Sequence, residues 1–158
     1  MRHEVQIDAP ASDAWHVLGV GFGTICEWSA SLAASELHGD LGVGASRSCQ
    51  GTGFGPFPAG VVTEELTHFD AATMTFTYEA REGLPPFVRH AGNAWSIHAD
   101  GPERCVVRFE ATVELAWWAW PAGWLLPRMI RADLGKMTEE MKHRIEHGTP
   151  HPRAAAAK

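Results

Sequence analysis

The chain has 158 residues and a formal net charge of −6, and hydrophobic residues make up 45% of it. This length predicts one domain with its own core, and the composition is that of an ordinary globular protein. Because an acidic protein repels phosphate backbones and no cluster of Lys or Arg stands out, nucleic acid is not an expected partner.

The cysteines and the apolar stretches indicate where the protein resides. Cys26, Cys49 and Cys105 are widely spaced and form neither a CxxC pair nor an even disulfide framework, so we expect reduced thiols and a cytoplasmic protein. The N-terminus has no apolar signal-peptide core. The longest apolar stretch, 115–127, is too short for a bilayer and contains a proline, so no stable membrane insertion is expected.

The predicted elements begin with a short strand at 3–8. Residues 11–19 follow as a helix with a plausible cap at Ser12, and 24–30 as a second short helix capped by Thr24. A glycine-rich link joins the two. Six strand-like runs separated by Asp- and Gly-containing turns come next. They span 33–38, 44–51, 60–69, 73–82, 90–99 and 104–115.

After Pro127 the pattern becomes helical, and Gly148 ends it. The apolar stripe of this long helix consists of Ile130, Leu134, Met137, Met141 and Ile145. This order predicts an α+β fold, a curved antiparallel sheet of about seven strands with a long C-terminal helix across it. Residues 1–148 are expected to form one domain and 149–158 a disordered tail.

Several segments resemble the START-like, or SRPBCC, superfamily with its helix-grip fold, and in particular its polyketide cyclase/dehydrase-like branch. The chain is also similar to plant pollen-allergen and abscisic-acid-receptor proteins. The matching motifs are WSAS at 28–31, VGASRS at 43–48, VVTEELTHFD at 61–70 and YEAREGLP at 78–85. The resemblance implies a large apolar cavity for a hydrophobic or aromatic molecule, but it does not choose between the many functions of the superfamily.

Glu64 interrupts an otherwise apolar strand face. It lies between Val62 and Leu66, and the alternation extends this face to His68. The resemblance assigns Glu64 to a cavity carboxylate, and a carboxyl group removed from water suits general acid–base chemistry. The alternative is a structural Glu bonded to a neighbouring Arg or to the backbone. By the same alternation, this face also carries Phe76, Tyr78, Asn93 and Trp95.

Other polar side chains are candidates for chemistry beside Glu64. Arg47 shares a strand face with Cys49, where it could bind a ligand enolate or pair with Glu64, or else lie at the surface. Tyr78 could act as a phenol acid or simply pack, and His90 could be an acid/base at the cavity mouth. Asn93 could orient a ligand carbonyl, whereas Cys49 is expected to be a small wall residue rather than a nucleophile.

Two readings of the strand at 104–115 stay open. Periodicity turns Val107 and Phe109 inward and Glu110 outward, but the resemblance aligns Glu110 with a cavity carboxylate, and a bulge could reconcile the two. Further candidates for ligand binding are Trp28 of the WSAS motif, Trp124 of the tryptophan cluster, and Asp133 and Met137 of the last helix. No metal-ligand spacing and no nucleotide-binding motif is present, so no metal or cofactor is expected.

The sequence supports two hypotheses about function. In the first, a hydrophobic, aromatic or polyketide-like molecule binds in the cavity and is cyclised, aromatised or dehydrated, with Glu64 moving protons. In the second, the protein is a non-catalytic carrier or sensor of a lipid or aromatic metabolite. Either would be a monomer or a homodimer.

Overall fold

The computed structural model describes residues 1–53, 58–118 and 126–157, and for Leu126, Pro127, Met129 and Ile130 it describes only the backbone. Seven antiparallel strands form one sheet in the order β1-β7-β6-β5-β4-β3-β2. The strands are β1 (Arg2–Ile7), β2 (Leu32–His38), β3 (Ser46–Gly51), β4 (Val61–Asp70), β5 (Thr75–Glu82), β6 (Val88–Ala99) and β7 (Cys105–Leu115). The helices are α1 (Ala11–Leu18), a 3₁₀ helix (Val20–Glu27), α2 (Leu126–His147) and α3 (Pro152–Ala156). The predicted α+β class is confirmed.

The two short helices between β1 and β2 differ in detail from the sequence prediction. Pro10, not Ser12, occupies the N-cap of α1 and its carbonyl accepts from Asp13 N, because the fixed φ of proline leads the chain directly into the helix. The second helical segment begins at Val20 and includes much of the expected glycine-rich link, but Gly21 and Thr24 leave helical geometry, so the segment is kinked there. It ends at Glu27, because Trp28 at the C-cap has left helical geometry.

One face of the sheet, called the inner face here, packs against α1 and the 3₁₀ helix. Its centre is aromatic: Trp15 of α1 and Phe22 of the 3₁₀ helix contact Phe76 on β5, with ring centroids 6.0 and 6.3 Å apart. Val107 and Phe109 of β7 are fully buried in the same core. Burying these side chains is the main source of stability, at about 1.5–3 kcal/mol for each large apolar side chain.

A register shift between Leu66 and His68 changes the face of β4 halfway along the strand. Leu66 is fully buried, and beyond the shift Phe69 points inward and contacts Trp15 at 5.2 Å. His68 is therefore exposed and bonds Thr75, so its predicted place on the Glu64 face is wrong. A bulge supplies one extra residue to a strand, which reverses the alternation after it.

Helix α2 packs its C-terminal half on the core through Met141 and Ile145, as the predicted stripe requires. Residues 152–156 form α3 rather than a disordered tail. Ala154 of α3 is fully buried, and Arg153 bonds both Glu139 and Glu140 of α2, which holds the short helix in place. In the described part of the chain no helix has both the length and the apolar character needed to cross a bilayer.

Candidate functional site

A buried ion pair lies on the inner face, where β3 and β4 run side by side. The strand register places Arg47 directly opposite Glu64, and Arg47 Nε donates to Glu64 Oε2 at 2.7 Å. Arg47 Nη1 also donates to the Phe22 carbonyl of the 3₁₀ helix at 2.7 Å. The Arg47 side chain is only 4% exposed and that of Glu64 18%, so this charge pair is largely removed from water.

Aromatic rings hold the guanidinium of Arg47 in position. Its carbon Cζ lies 4.0 Å from the centre of the Phe22 ring and 4.7 Å from that of Tyr78, both within the range of cation–π attraction. Burial disfavours the charge of Arg47 and is the largest single effect, but the charge and hydrogen bond of Glu64 together with Tyr78 and Cys49 outweigh it, so the pKa of Arg47 is raised. Arg47 therefore stays charged near neutral pH.

Two further ionisable side chains adjoin this pair and remain protonated. Cys49 Sγ lies 3.7 Å from Glu64 Oε2, and burial raises the pKa of the Cys49 thiol to about 12. Burial, reinforced by the charge of Glu64, raises the pKa of the Tyr78 phenol well above its usual range. Neither group is a nucleophilic anion near neutral pH, and both can donate a proton or a hydrogen bond.

A row of stacked rings crosses the inner face beside the ion pair, from β1 to β5. His3 stacks on Phe109 at 5.0 Å, Phe109 on Trp95 at 4.6 Å, and Trp95 on Phe76 at 5.8 Å, with interplanar angles of 11°, 21° and 3°. Such parallel rings are fixed by their cross-strand neighbours. They give the inner face a flat, apolar wall.

A narrow space lies between this wall and the two short helices. Its volume is about 10 Å³, and its lining includes Trp28, Arg47, Phe76, Tyr78 and Trp95. The Nε1 atoms of Trp28 and Trp95 are buried, and neither has a hydrogen-bond acceptor within the described part of the chain.

A larger cleft, of about 420 Å³, separates α2 from the ends of β2 and β3. Asp133 and Met137 line one side of it, and Ser31 and Thr52 the other. Burial raises the pKa of Asp133, although Lys136 opposes the shift. Trp28 lines the narrow space while Ala30 and Ser31 line the cleft, so the WSAS segment separates the two spaces.

The structure brings most of the predicted site residues to the inner face. Arg47 and Cys49 lie on β3, Glu64 and Leu66 on β4, and all are buried or half-buried. The other residues that share this face are Val62, Phe76, Tyr78, Asn93 and Trp95. The surface position that we kept as an alternative for Arg47 is wrong, because Glu64 holds its side chain inside.

Two predicted site residues lie on the opposite, outer face. Glu110 is half-exposed and pairs with Arg2 of β1, since β7 alternates without a bulge from Cys105 to Leu115. The inward orientation that the resemblance suggested for Glu110 is therefore wrong. His90 shares the outer face with Glu79, because both side chains approach the position where a Cβ on Gly92 would lie. The expected placement of His90 at the cavity mouth is corrected accordingly.

The tryptophan cluster after β7 is described only in part. Trp117 and Trp118 are exposed, at 84% and 53%, whereas Trp124 lies outside the described residues. Across residues 1–53, 58–118 and 126–157, no three His, Cys, Asp or Glu side chains are arranged to hold a metal ion.

Sequence reasoning missed three residues that shape the site. Phe22 covers Arg47 and accepts its second hydrogen bond, His3 extends the row of rings, and the buried Glu140 of α2 accepts from the Ala30 backbone. Alternation along β1 could have placed His3 with Val5 and Ile7 on the inner face. No local signal in the sequence could have shown the contacts of Phe22 or Glu140, because both depend on how helices dock.

The curved antiparallel sheet, the paired short helices and the C-terminal helix define the class of START-like α+β proteins. The family model described as polyketide cyclase / dehydrase and lipid transport matches residues 1–146, and the chain belongs to this family. A comparison with curated proteins found no match.

Solved structures show the same fold at low sequence identity. A point mutant of norcoclaurine synthase from Thalictrum flavum, in complex with a transition-state analogue, is 20% identical, with a TM-score of 0.71 over 94% of this chain and 95% of that one. A START superfamily protein from Mycobacterium smegmatis is 14% identical, with a TM-score of 0.76 over 94% and 98%. Ara h 8.0201 is 14% identical, with a TM-score of 0.71 over 92% and 95%.

Proposed function

We propose that the protein binds a hydrophobic, aromatic or polyketide-like small molecule against the inner face and transforms it by acid–base chemistry. The observation that carries this proposal is the Arg47–Glu64 pair, set into a wall of stacked aromatic rings. An apolar site with a few fixed polar groups is the usual form of a small-molecule site. The family description, with its cyclases, dehydrases and lipid transport, supports the same class of ligand.

Glu64 is the best candidate for the group that moves a proton. Arg47 and Cys49 engage its Oε2 atom, while its Oε1 atom accepts no hydrogen bond from the residues that the structure describes. Because its Oε2 atom already accepts from Arg47 and its Oε1 atom is open to a ligand, Glu64 would act first as a base. It would take a proton from the carbon next to a ligand carbonyl and return it at a later step.

Donors for the resulting enolate oxygen lie near the base. Tyr78 keeps its proton, and Asn93 lies opposite it in the register of β5 and β6. The Asn93 side chain is half-buried and forms no hydrogen bond with described residues, so its amide is available to a ligand. Enolate formation followed by attack on a second carbonyl is the chemistry that cyclisation and dehydration require.

We propose that a ligand reaches the inner face of the sheet through the cleft beside α2. Its volume of about 420 Å³ lies within the range of small-molecule sites, and its lining includes Asp133 and Met137. A structural neighbour, norcoclaurine synthase from Thalictrum flavum, was solved with dopamine and hydroxybenzaldehyde; it is 18% identical, with a TM-score of 0.67 over 93% of this chain and 86% of that one. This likeness makes aromatic carbonyl compounds reasonable first probes.

A non-catalytic carrier or sensor is the second candidate. It is favoured by the two hydrogen bonds of Arg47, both made to acceptors of the protein itself, because they describe a structural ion pair. We also propose that the protein resides in the cytoplasm, which agrees with the three free cysteines, and that it acts as a monomer or homodimer without nucleic acid.

One experiment separates these candidates. The ketone 2-acetylnaphthalene is titrated into the protein in deuterium oxide; tryptophan fluorescence reports binding and proton NMR reports deuterium uptake at its methyl group. We expect Glu64→Gln to slow the uptake by about 10²- to 10⁴-fold while the ketone still binds. Glu64→Asp, which keeps the charge beside Arg47, should retain part of the rate.

Glu65→Gln is the matched control. Glu65 is the next residue on β4, but it lies on the outer face and pairs with Arg81. We expect this variant to match the wild type in both binding and deuterium uptake. If the wild type binds the ketone without deuterium uptake, the catalytic candidate fails and the carrier or sensor remains. If the ketone does not bind at all, both candidates are overturned.

A further inference from the structure

The side chains of Trp28 and Trp95 each bury an indole N–H that makes no hydrogen bond of normal geometry within the described part of the chain. Trp28 is 3% exposed and Trp95 5%. The Trp95 N–H lies close enough to Tyr78 to oppose the rise in the pKa of that phenol, but not in hydrogen-bonding position. Buried polar groups are nearly always hydrogen-bonded, and an unpaired one costs free energy. Phenylalanine would fill much of the same volume without this cost, so packing alone does not account for two such donors.

Both tryptophans line the same narrow space beneath the sheet. The space measures about 10 Å³, close to the room that a single water-sized oxygen needs. Arg47 and Tyr78 line it as well. Because the polar groups here are mainly donors, the space favours an acceptor oxygen over a donor group.

The two rings are held in place by their surroundings. Trp95 is stacked between Phe109 at 4.6 Å and Phe76 at 5.8 Å. Trp28 is packed into the core at 3% exposure, and its backbone N–H donates to the Ile25 carbonyl at the end of the 3₁₀ helix. Donors that are fixed before a ligand arrives lose little entropy on binding.

We infer that the indole N–H groups of Trp28 and Trp95 form a binding site for one acceptor oxygen of an aromatic carbonyl compound. In the free protein a water molecule would serve the same donors. This inference rests on the proposed function and narrows the ligand class to molecules that carry a ketone or aldehyde oxygen on an aromatic body. Tyr78, which lines the same space, would share this oxygen with the two indoles when it becomes the enolate oxygen, and Glu64 and Arg47 would lie beside the carbonyl.

The test compares two probes that differ only at the oxygen. The affinities of 2-acetylnaphthalene and 2-ethylnaphthalene are measured by calorimetry on wild type and on Trp28→Phe and Trp95→Phe. We expect wild type to prefer the ketone by about 10-fold, and each variant to lose several-fold of that preference while its affinity for the hydrocarbon stays unchanged. Equal affinities in wild type, or an unchanged preference in both variants, would overturn the inference.

Trp15→Phe is the matched control, since Trp15 belongs to the same core but does not line the narrow space. This variant should keep the preference for the ketone. If neither probe binds, the proposed function fails, and the oxygen site is tested separately by NMR on the ligand-free protein. In ¹⁵N-labelled wild type, the indole protons of Trp28 and Trp95 should then show transfer of magnetisation from bound water. The absence of that transfer would refute the oxygen site independently.

Discussion

Arg47 Nε and Glu64 Oε2 lie 2.7 Å apart on neighbouring strands, and the Arg47 side chain is almost completely buried. This pair joins three elements, because Arg47 also bonds the Phe22 carbonyl of the 3₁₀ helix. The chain thus places one full ion pair inside an aromatic core. Such pairs are seldom the most stable filling for a core, which favours a functional reason for their presence.

Removing one partner of this pair should destabilise the protein strongly. Arg47→Met leaves the Glu64 carboxylate without its counter-ion, and we expect a loss of about 3 kcal/mol in the free energy of unfolding. The double variant Arg47→Met/Glu64→Gln removes both charges and should recover much of this loss. Urea unfolding followed by circular dichroism measures both values.

The exposed pair of Arg108 and Glu4 is the matched control, at a similar distance of 2.6 Å. Both side chains are about half exposed, so solvent screens their attraction. Arg108→Met should cost less than about 1 kcal/mol. Equal losses for the two Arg variants would show that burial adds nothing to the Arg47–Glu64 pair.

The Cys49 thiol should make stability depend on alkaline pH. Its pKa is raised from 9.0 to about 12 in the folded state. Between these values the unfolded chain has lost the proton while the folded chain keeps it, so stability is full below pH 9 and falls as pH rises towards 12. Tyr78, whose pKa is raised too, acts in the same direction.

Cys49→Ala isolates the thiol from the other groups that titrate in this range. We expect the urea midpoint of this variant to fall less steeply between pH 9 and 11 than that of the wild type. Cys26→Ala, at a half-buried position, serves as the comparison. Parallel pH profiles for wild type and Cys49→Ala would contradict the prediction.

The attachment of helix α3 to α2 should depend on Ala154, which is fully buried. Ala154→Glu places a charge in this contact and should detach α3 from α2, which exposes the bond after Arg153 to trypsin. We expect cleavage there to become about 10-fold faster, as local unfolding becomes easier. Ala155→Glu adds the same charge at an exposed position and should leave the rate unchanged. Equal rates in both variants would show that Ala154 does not hold the helix.

Gly83 should tolerate no side chain. Its φ is +82°, and a Cβ would lie 1.9 Å from the Val61 carbonyl oxygen at the start of β4. Gly83→Ala must move the backbone, and we expect a loss of more than about 3 kcal/mol in the free energy of unfolding. Gly101 has a similar φ of +98° but open space around it, so Gly101→Ala should lose only about 1 kcal/mol. Thermal unfolding compares the two, and similar losses would refute the steric explanation.

Alternation of side chains predicted much of the inner face. It placed Glu64 beside Leu66, Phe76 beside Tyr78, and Phe109 inward, because a strand with one buried face must repeat every second residue. The same rule placed Glu110 outside, and the family resemblance that suggested otherwise was the weaker guide. Periodicity failed at His68, where a bulge adds one residue and leaves no trace in local composition.

The sequence by itself determined the order of the strands and the long helix and, apart from the second half of β4, which strand residues face the core, because both follow from local backbone geometry and from apolar periodicity. Only the tertiary structure decided that Arg47 meets Glu64, that Phe22 covers Arg47, and that Trp28 and Trp95 share one small space. These residues are far apart in sequence, and their contacts depend on strand register and helix docking. Such long-range relations result from the packing of the whole core, which no short stretch of residues encodes.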